Sequence, residues 1–262
     1  MHVAITFLVA LSVLCYGLAM GFTGEGKRLG ALAFSAGWVG HALALLLHAQ
    51  PGDAAGAVGV RFGFAAVLSL TVWLVIAVHA IESRLLPLPG VRRALAFTGA
   101  VSLALVWSFP GEARAATSTW APLHWVLGVA SYGLFGAAVL HATMLDAAER
   151  QLRTRSGRAI GVLGLPLLRL ERLTFRFVEC GFAALTAAVV LGMLTSKGWR
   201  WDHKTVFSLL GWTVFAALLV GRHRYGWRGQ LATRWVYVGA LLLLLAYVGS
   251  RFVMEVLLTR SL

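Results

Sequence analysis

Apolar residues run along this chain in eight blocks, at roughly 2–20, 29–48, 62–81, 94–109, 121–143, 177–195, 205–221 and 235–256, with the charged residues gathered between them. Crossing the hydrocarbon core of a bilayer takes about 20 mostly apolar residues in a helix, so each block predicts a transmembrane span. The blocks at 94–109 and 205–221 are the shortest. The pattern predicts an all-α fold, a polytopic transmembrane helical bundle of about eight helices, with residues 1–262 forming a single integral membrane domain.

Composition agrees, with 59% hydrophobic residues, 13% charged residues and a mean hydropathy of +0.80. Soluble domains carry about a quarter charged residues. The net charge of +13 would suggest nucleic acid in a soluble protein. In a membrane protein it reports orientation, and no nucleic-acid partner is expected. Lys and Arg number 16 in the connections after the odd-numbered helices and 7 elsewhere. The positive-inside bias therefore predicts both termini on the outer (periplasmic) side of a bacterial inner membrane, a basic cytoplasmic loop at 146–176 and an external Trp-rich loop at 196–204. The first block lacks a basic leader and a clear small-residue cleavage site, so it is expected to remain as a helix.

Cys15 and Cys180 fall inside predicted helices and form no C-x-x-C, which removes a thioredoxin-type pair and covalent haem attachment; both are expected to be inert core thiols. No phosphate-binding loop, H-E-x-x-H or G-x-S-x-G occurs. The expectation is a binding protein, not an enzyme. The 29 glycines are spread through the helices, where small residues let backbones approach closely.

The connection from Asp146 to Arg176 carries Arg150, Arg153, Arg155, Arg158, Arg169, Arg172 and Arg176 around an apolar stretch beginning at Ile160. Such a segment predicts an interfacial helix on anionic lipid. The alternative is a docking surface for a cytoplasmic partner.

The chemistry concentrates in Gly198-Trp199-Arg200-Trp201-Asp202-His203-Lys204 and in the histidines. Trp suits a membrane interface because its ring is apolar and its N–H is wet. Two indoles and a carboxylate in one short loop predict an aromatic shelf for a planar ligand. A belt with Asp202 as a helix cap is the competing explanation. His41 lies about 12 residues into helix 2, roughly 18 Å from its inner end at 1.5 Å per residue. His124 opens helix 5 beneath the Trp loop. A neutral imidazole ligates haem iron strongly, and a bis-imidazole site needs one His from each of two elements. His124 and His41 are the predicted pair, each with a hydrogen bond to a neighbouring helix as its alternative. His48 and His141 are expected to be satisfied at the interface, and His79 is left open.

The string Trp199-x-Trp201-Asp202-x-Lys204, followed by Leu209-Leu-Gly-Trp212, Arg222-His223 and Gly226-Trp227-Arg228-Gly229, resembles the tryptophan-rich signature of the cytochrome c assembly membrane proteins, the CcsA, CcmC and HemX-like haem-handling superfamily. Pro122-Leu-His124 with Ser131-Tyr132 is similar to the family helix that opens on an external histidine. His41 and the closing Ala246-Tyr-Val-Gly-Ser-Arg251 resemble the small eight-helix inner-membrane branch. The resemblance implies non-covalent haem b, other cytochrome c assembly proteins as partners, His124, His41 and His223 as iron-ligand candidates, and Trp199, Trp201 and Asp202 as cofactor-binding residues. The chain departs from the signature at Thr195-Ser196, His203 and Thr205, and no histidine follows His223. A membrane regulator or scaffold acting through the Arg-rich loop is the alternative function. A small-molecule or ion transporter is a further one, weakened by the few buried acids, Glu179 and Glu255.

Overall fold

The computed structural model describes residues 2–22, 26–50, 59–83, 89–115, 118–154, 167–195 and 201–258. Eight helices in it are long and apolar enough to cross a membrane, the number the hydropathy pattern predicts. They are α1 (His2–Gly21), α2 (Lys27–Ala49), α3 (Phe64–Ser83), α4 (Pro89–Ser108), α5 (Ala121–Thr154), α6 (Leu167–Thr195), α7 (His203–Tyr225) and α8 (Gly229–Leu244), the last continuing to Leu258 through two π-helical stretches. A short antiparallel pair, β1 (Gly59–Arg61) with β2 (Ala113–Ala115), is registered with Val60 opposite Arg114. The protein is a polytopic helical membrane bundle.

The helices outrun the apolar blocks that predict them. Residues 146–154 complete α5 and residues 167–176 open α6, so much of the expected basic loop is helix. Hydropathy ends where charge begins, but Ala, Glu, Gln, Leu and Arg are good helix formers whether or not lipid surrounds them. The stretch around Ile160, expected to lie on the lipid surface, falls outside the described residues.

The chain packs as two compact units, Met1–Thr119 with Arg251–Leu262, and Trp120–Ser250. In the first, α1 packs against α2 and α4, and α3 against α4. Lipid gives no hydrophobic drive to helix pairing, so close backbones and polar contacts do the work. The buried positions of α2 are Gly30, Phe34, Gly37, His41, Ala44 and His48, one stripe at helical spacing. Tyr16 lies fully buried where Gly99 faces it; a Cβ there would meet the ring at 2.9 Å. Trp38 and Trp73 stack at 4.9 Å, and each indole N–H donates to the other residue's carbonyl, at 3.2 and 3.1 Å. That exchange ties α2 to α3 without leaving a polar atom in lipid.

In the second unit α5 packs along α6, and α8 against both α5 and α7. Phe135 and Phe215 stack at 3.9 Å in the centre. Phe215 fits because a Cβ at Gly239 would stand 2.7 Å from its ring. Glu171, 8% exposed, pairs with Arg222 and lies 3.3 Å from Arg228 Nε, while the Arg222 guanidinium covers the Phe175 ring at 3.8 Å. Gly226 ends α7 in the left-handed region at φ 66°, where a side chain would be strained. Cys180 is exposed on α6, which corrects the expectation of a core thiol; position within a helix does not settle which face a residue occupies.

Candidate functional site

Helix α7 starts where its sequence says it should. Asp202 is extended at φ −90° and ψ 165°, and its Oδ1 accepts from the Thr205 N–H at 2.8 Å. A carboxylate at this position satisfies one of the free N–H groups of the first turn and favours the positive end of the dipole. Asp202 therefore caps a helix, as one of its two expected roles required. Trp201 beside it is 73% exposed. Trp199, the other indole of the expected shelf, lies outside the described residues.

Lys204, one residue inside α7, places its Nζ 5.5 Å from the centre of the Tyr247 ring. Tyr247 belongs to the π-helical stretch Leu245–Gly249. The cause of that stretch lies on α5: the Tyr132 hydroxyl donates to the Leu243 carbonyl, and the Tyr247 N–H donates to the Tyr132 oxygen. A regular helix would join that N–H to that carbonyl directly. Inserting a hydroxyl between them widens the turn, one of the recognised origins of a local π segment, and such segments cluster at functional sites.

His124 stands on α5 close enough to feel the Lys204 charge. Its Nδ1 lies 3.0 Å from the Ala188 carbonyl on α6, and its Cε1 is 3.1 Å from where a Cβ on Gly192 would be. A carbonyl only accepts, so Nδ1 carries the proton. Neutral imidazole has one ring proton, so Nε2 keeps its lone pair. Among the described residues Nε2 has no hydrogen-bond partner. Metal-ligating histidines are typically held in this way, one N–H given to a carbonyl or carboxylate and the other nitrogen presented to the metal. His124, Lys204, Tyr132 and Tyr247 thus come together in the second unit, and the first of them fits an iron ligand.

His41 is arranged differently. It is fully buried, Nδ1 is 3.1 Å from the Tyr16 hydroxyl and Nε2 is 2.8 Å from Ser69 Oγ. Ser69 Oγ donates to Ser102 Oγ at 3.3 Å, which donates to the Gly99 carbonyl at 3.0 Å. Each hydroxyl has one proton, so the direction is forced: Ser69 accepts from His41 Nε2–H, and Nδ1 accepts from Tyr16. The chain of bonds joins α1, α2, α3 and α4, and it engages both nitrogens of His41.

His223, at the end of α7, is 65% exposed; its Nδ1 donates to Leu219 at 2.8 Å and its Nε2 is 3.8 Å from Glu179 Oε1. With Leu219, Val220, Arg224 and Tyr225 it lines a shallow groove. His141 donates to Ala137 at 2.8 Å and packs against Phe177; at 2% exposed, with His48 at 7%, it lies in the interior and not at the wet interface that the sequence predicted for both. Tyr247 and Lys204 had no role assigned from sequence. Their signal was present in the signature string, but only the fold brings them together.

Comparison with known proteins bears on what such a site serves. No solved structure matches the chain. The inner membrane protein YpjD of Escherichia coli K12 is 27% identical over 258 residues, 97% of this chain and 96% of its own length. The cytochrome c biogenesis protein CcsA of Prochlorococcus marinus is 23% identical over 71% of this chain and 70% of its own. An uncharacterized 28.8 kDa protein of Azospirillum brasilense is 32% identical over 55% of each chain. The family model described as cytochrome C assembly protein matches residues 30–258, from the second helix to the end of the eighth, and the chain belongs to that family.

Proposed function

We propose that this protein binds haem b without covalent attachment in a bacterial inner membrane and presents it for cytochrome c assembly, with His124 as an iron ligand. The single observation that carries the reading is the hydrogen bond from His124 Nδ1 to Ala188, which fixes the tautomer whose Nε2 can ligate a metal. Family membership and the named activity of the CcsA relative point to the same chemistry.

Haem would supply the redox-active iron and the porphyrin that is delivered to a client. The chain's own residues hold and orient it. Trp201, with Trp199, offers an aromatic face to the ring plane. Lys204 offers a cation to a propionate carboxylate, and Asp202 fixes the start of α7, on whose first turn Lys204 lies. Helix α6 holds the His124 ring against Gly192, where glycine leaves room for it. His41, in the first unit, is a separate ligand candidate if Tyr16 releases its Nδ1. His223, which matches the family histidine after the signature, is the further candidate. Other cytochrome c assembly proteins, and anionic lipid at the basic segment, are the proposed partners.

The orientation belongs to the same reading. With 16 basic residues on one side and 7 on the other, both termini and the Trp loop face outward. An impermeant thiol reagent on intact cells should label Lys197→Cys and spare Arg155→Cys; the reverse pattern overturns the topology and the outer site with it. For the cofactor, the oxidised and reduced absorption spectra of the purified protein in detergent should show six-coordinate haem b. A protein that takes up no haem when supplied with it would end this reading in favour of a regulator or transporter.

A further inference from the structure

The widened turn Leu245–Gly249 of α8 lies wholly within the second unit. A π turn is rare and occurs mostly as a single insertion into an α-helix. Its cost is a shifted set of backbone hydrogen bonds, so the carbonyls it strands must find other donors.

Two side-chain hydroxyls supply them. At the C-terminal edge the Ser250 N–H donates to the Leu245 and Tyr247 carbonyls. A regular helix would give that N–H to Ala246; the Ala246 carbonyl accepts from Ser250 Oγ instead, at 2.8 Å, and the same hydroxyl lies 3.1 Å from the Tyr247 carbonyl. At the N-terminal edge the Leu243 carbonyl accepts from the Tyr132 hydroxyl of α5. Leu243 and Ala246 are both buried, so water is no substitute for either donor.

The two hydroxyls differ in kind. Ser250 bonds back to its own helix, as serines within helices commonly do. Tyr132 reaches α8 from 111 residues away, and its ring packs against the core cluster that contains Phe135 and Leu243, which fixes where its oxygen can be.

What the open turn presents is Tyr247, with the Lys204 Nζ 5.5 Å above the centre of its ring. An ammonium within about 6 Å of a ring centroid is attracted by the negative face of the ring. Each residue of an α-helix turns the chain by about 100°. Closing the π turn would therefore rotate Tyr247 relative to the start of α8 and carry the ring off the amine. Lysine has a flexible four-carbon stem, so an amine without that ring would have to be ordered when it met an anion.

We propose that Tyr132 is a positioning residue for the anionic edge of the ligand: its hydroxyl holds the turn of α8 open, the turn sets the Tyr247 ring, and the ring fixes the Lys204 amine that receives a carboxylate. The proposal rests on the haem-binding reading for the identity of that carboxylate, a propionate, and adds to it the device that sets the amine. Tyr132 itself touches no ligand.

The test uses the full-length protein in detergent. Lys204 is one of three lysines in the chain, so its resonance after methylation with carbon-13 is assigned by Lys204→Arg. In the wild type this resonance should carry an upfield ring-current shift, kept in Tyr247→Phe and lost in Tyr247→Leu. Tyr132→Phe preserves the packed ring and removes only the hydroxyl; it should abolish the shift. Ser250→Ala should reduce it, and carries the same test from the other edge should Tyr132→Phe fail to fold. Thr213→Val, which removes an exposed hydroxyl bonded to Leu209 on α7, is the control and should leave the resonance in place. In titrations, Tyr132→Phe should weaken haem binding a few-fold, the size of one cation–ring contact, and leave the binding of haem dimethyl ester unchanged. Tyr132→Phe combined with Tyr247→Leu should lose no more than either alone. A Tyr132→Phe protein with the wild-type Lys204 resonance overturns the proposal, as does equal loss of both haem forms, which would make Tyr132 a packing residue only. If the resonance responds as expected and the wild type takes up no haem, the positioning stands and the haem reading falls. If haem binds and the resonance ignores Tyr132, the haem reading survives and this proposal fails alone.

Discussion

In the first unit the imidazole of His41 has a hydroxyl on each nitrogen, Tyr16 at 3.1 Å and Ser69 at 2.8 Å. In the second unit the imidazole of His124 has a backbone carbonyl on one nitrogen, at 3.0 Å, and no protein partner on the other. Both residues are histidines in apolar helices, and both are ligand candidates from the sequence, His124 the stronger for its position under the Trp loop. Their surroundings differ in what they can give up. A carbonyl that holds Nδ1–H remains in place when Nε2 meets a metal, so ligation at His124 costs no existing bond. Ligation at His41 requires a hydroxyl to lose its partner in a dry interior, where an unpaired polar group is penalised. The comparison teaches that a membrane histidine is assigned by its second nitrogen.

The largest expected effect is on His124. Replacing it with Ala should lower haem affinity on the order of ten- to a hundred-fold, the range seen even when only the partner of a ligand is removed. The haem-to-protein ratio after purification measures this. An unchanged ratio would remove the distinction between the two imidazoles.

Next comes His41→Leu, which leaves the Tyr16 hydroxyl without an acceptor and Ser69 without a donor. Hydrogen bonds within membrane bundles average about 0.6 kcal/mol, but an orphaned buried group costs more, so a loss of about 1–3 kcal/mol is expected. The thermal midpoint in detergent should fall while the haem spectrum keeps its form. A changed spectrum with an unchanged midpoint would make His41 a ligand and reverse the comparison.

Much of this was legible in the chain and some was not. Eight apolar blocks gave eight helices because hydropathy and helix length are both local properties. Asp202 was legible as a cap because capping needs only the three residues that follow it. The pairing of Lys204 with Tyr247 was not, since it depends on the Tyr132 hydroxyl entering the ladder of a helix more than a hundred residues away. His48 was placed at a wet interface by its distance along α2, yet it is 7% exposed; burial depends on what packs against the helix end, which no periodicity announces. The helical ends of the basic segment were missed because apolar runs mark where lipid begins, not where helical hydrogen bonding stops.

Smaller in effect is Trp201→Tyr. The ring is exposed, so expression and insertion should match wild type. If the indole stacks on a porphyrin, the Soret band of the loaded protein should shift and occupancy should fall by a few-fold, the size expected of one aromatic pair worth about 0.5–1.5 kcal/mol. Full occupancy with an unshifted band would reduce the residue to an interfacial anchor and leave His124 to hold the cofactor without a shelf.

The smallest effect is also the most direct probe of the comparison, because it concerns one proton on each ring. The Ser102 hydroxyl donates to Gly99, which obliges Ser69 to donate to Ser102 and to accept from His41. His41 should therefore be protonated on Nε2, and His124, which donates to Ala188 from Nδ1, should be the opposite tautomer. Nitrogen-15 spectra of histidine-labelled protein in lipid, assigned by His41→Leu and His124→Ala, distinguish the two forms. Ser102→Ala removes the acceptor that orients Ser69, freeing that hydroxyl to turn toward His41 and raising the share of the Nδ1-protonated ring. The accompanying loss of stability should be below about 1 kcal/mol, since one modest bond is exchanged for another. Finding His41 already protonated on Nδ1 in the wild type would mean that the relay runs the other way, that Nε2 is the acceptor, and that His41 and His124 are held alike after all.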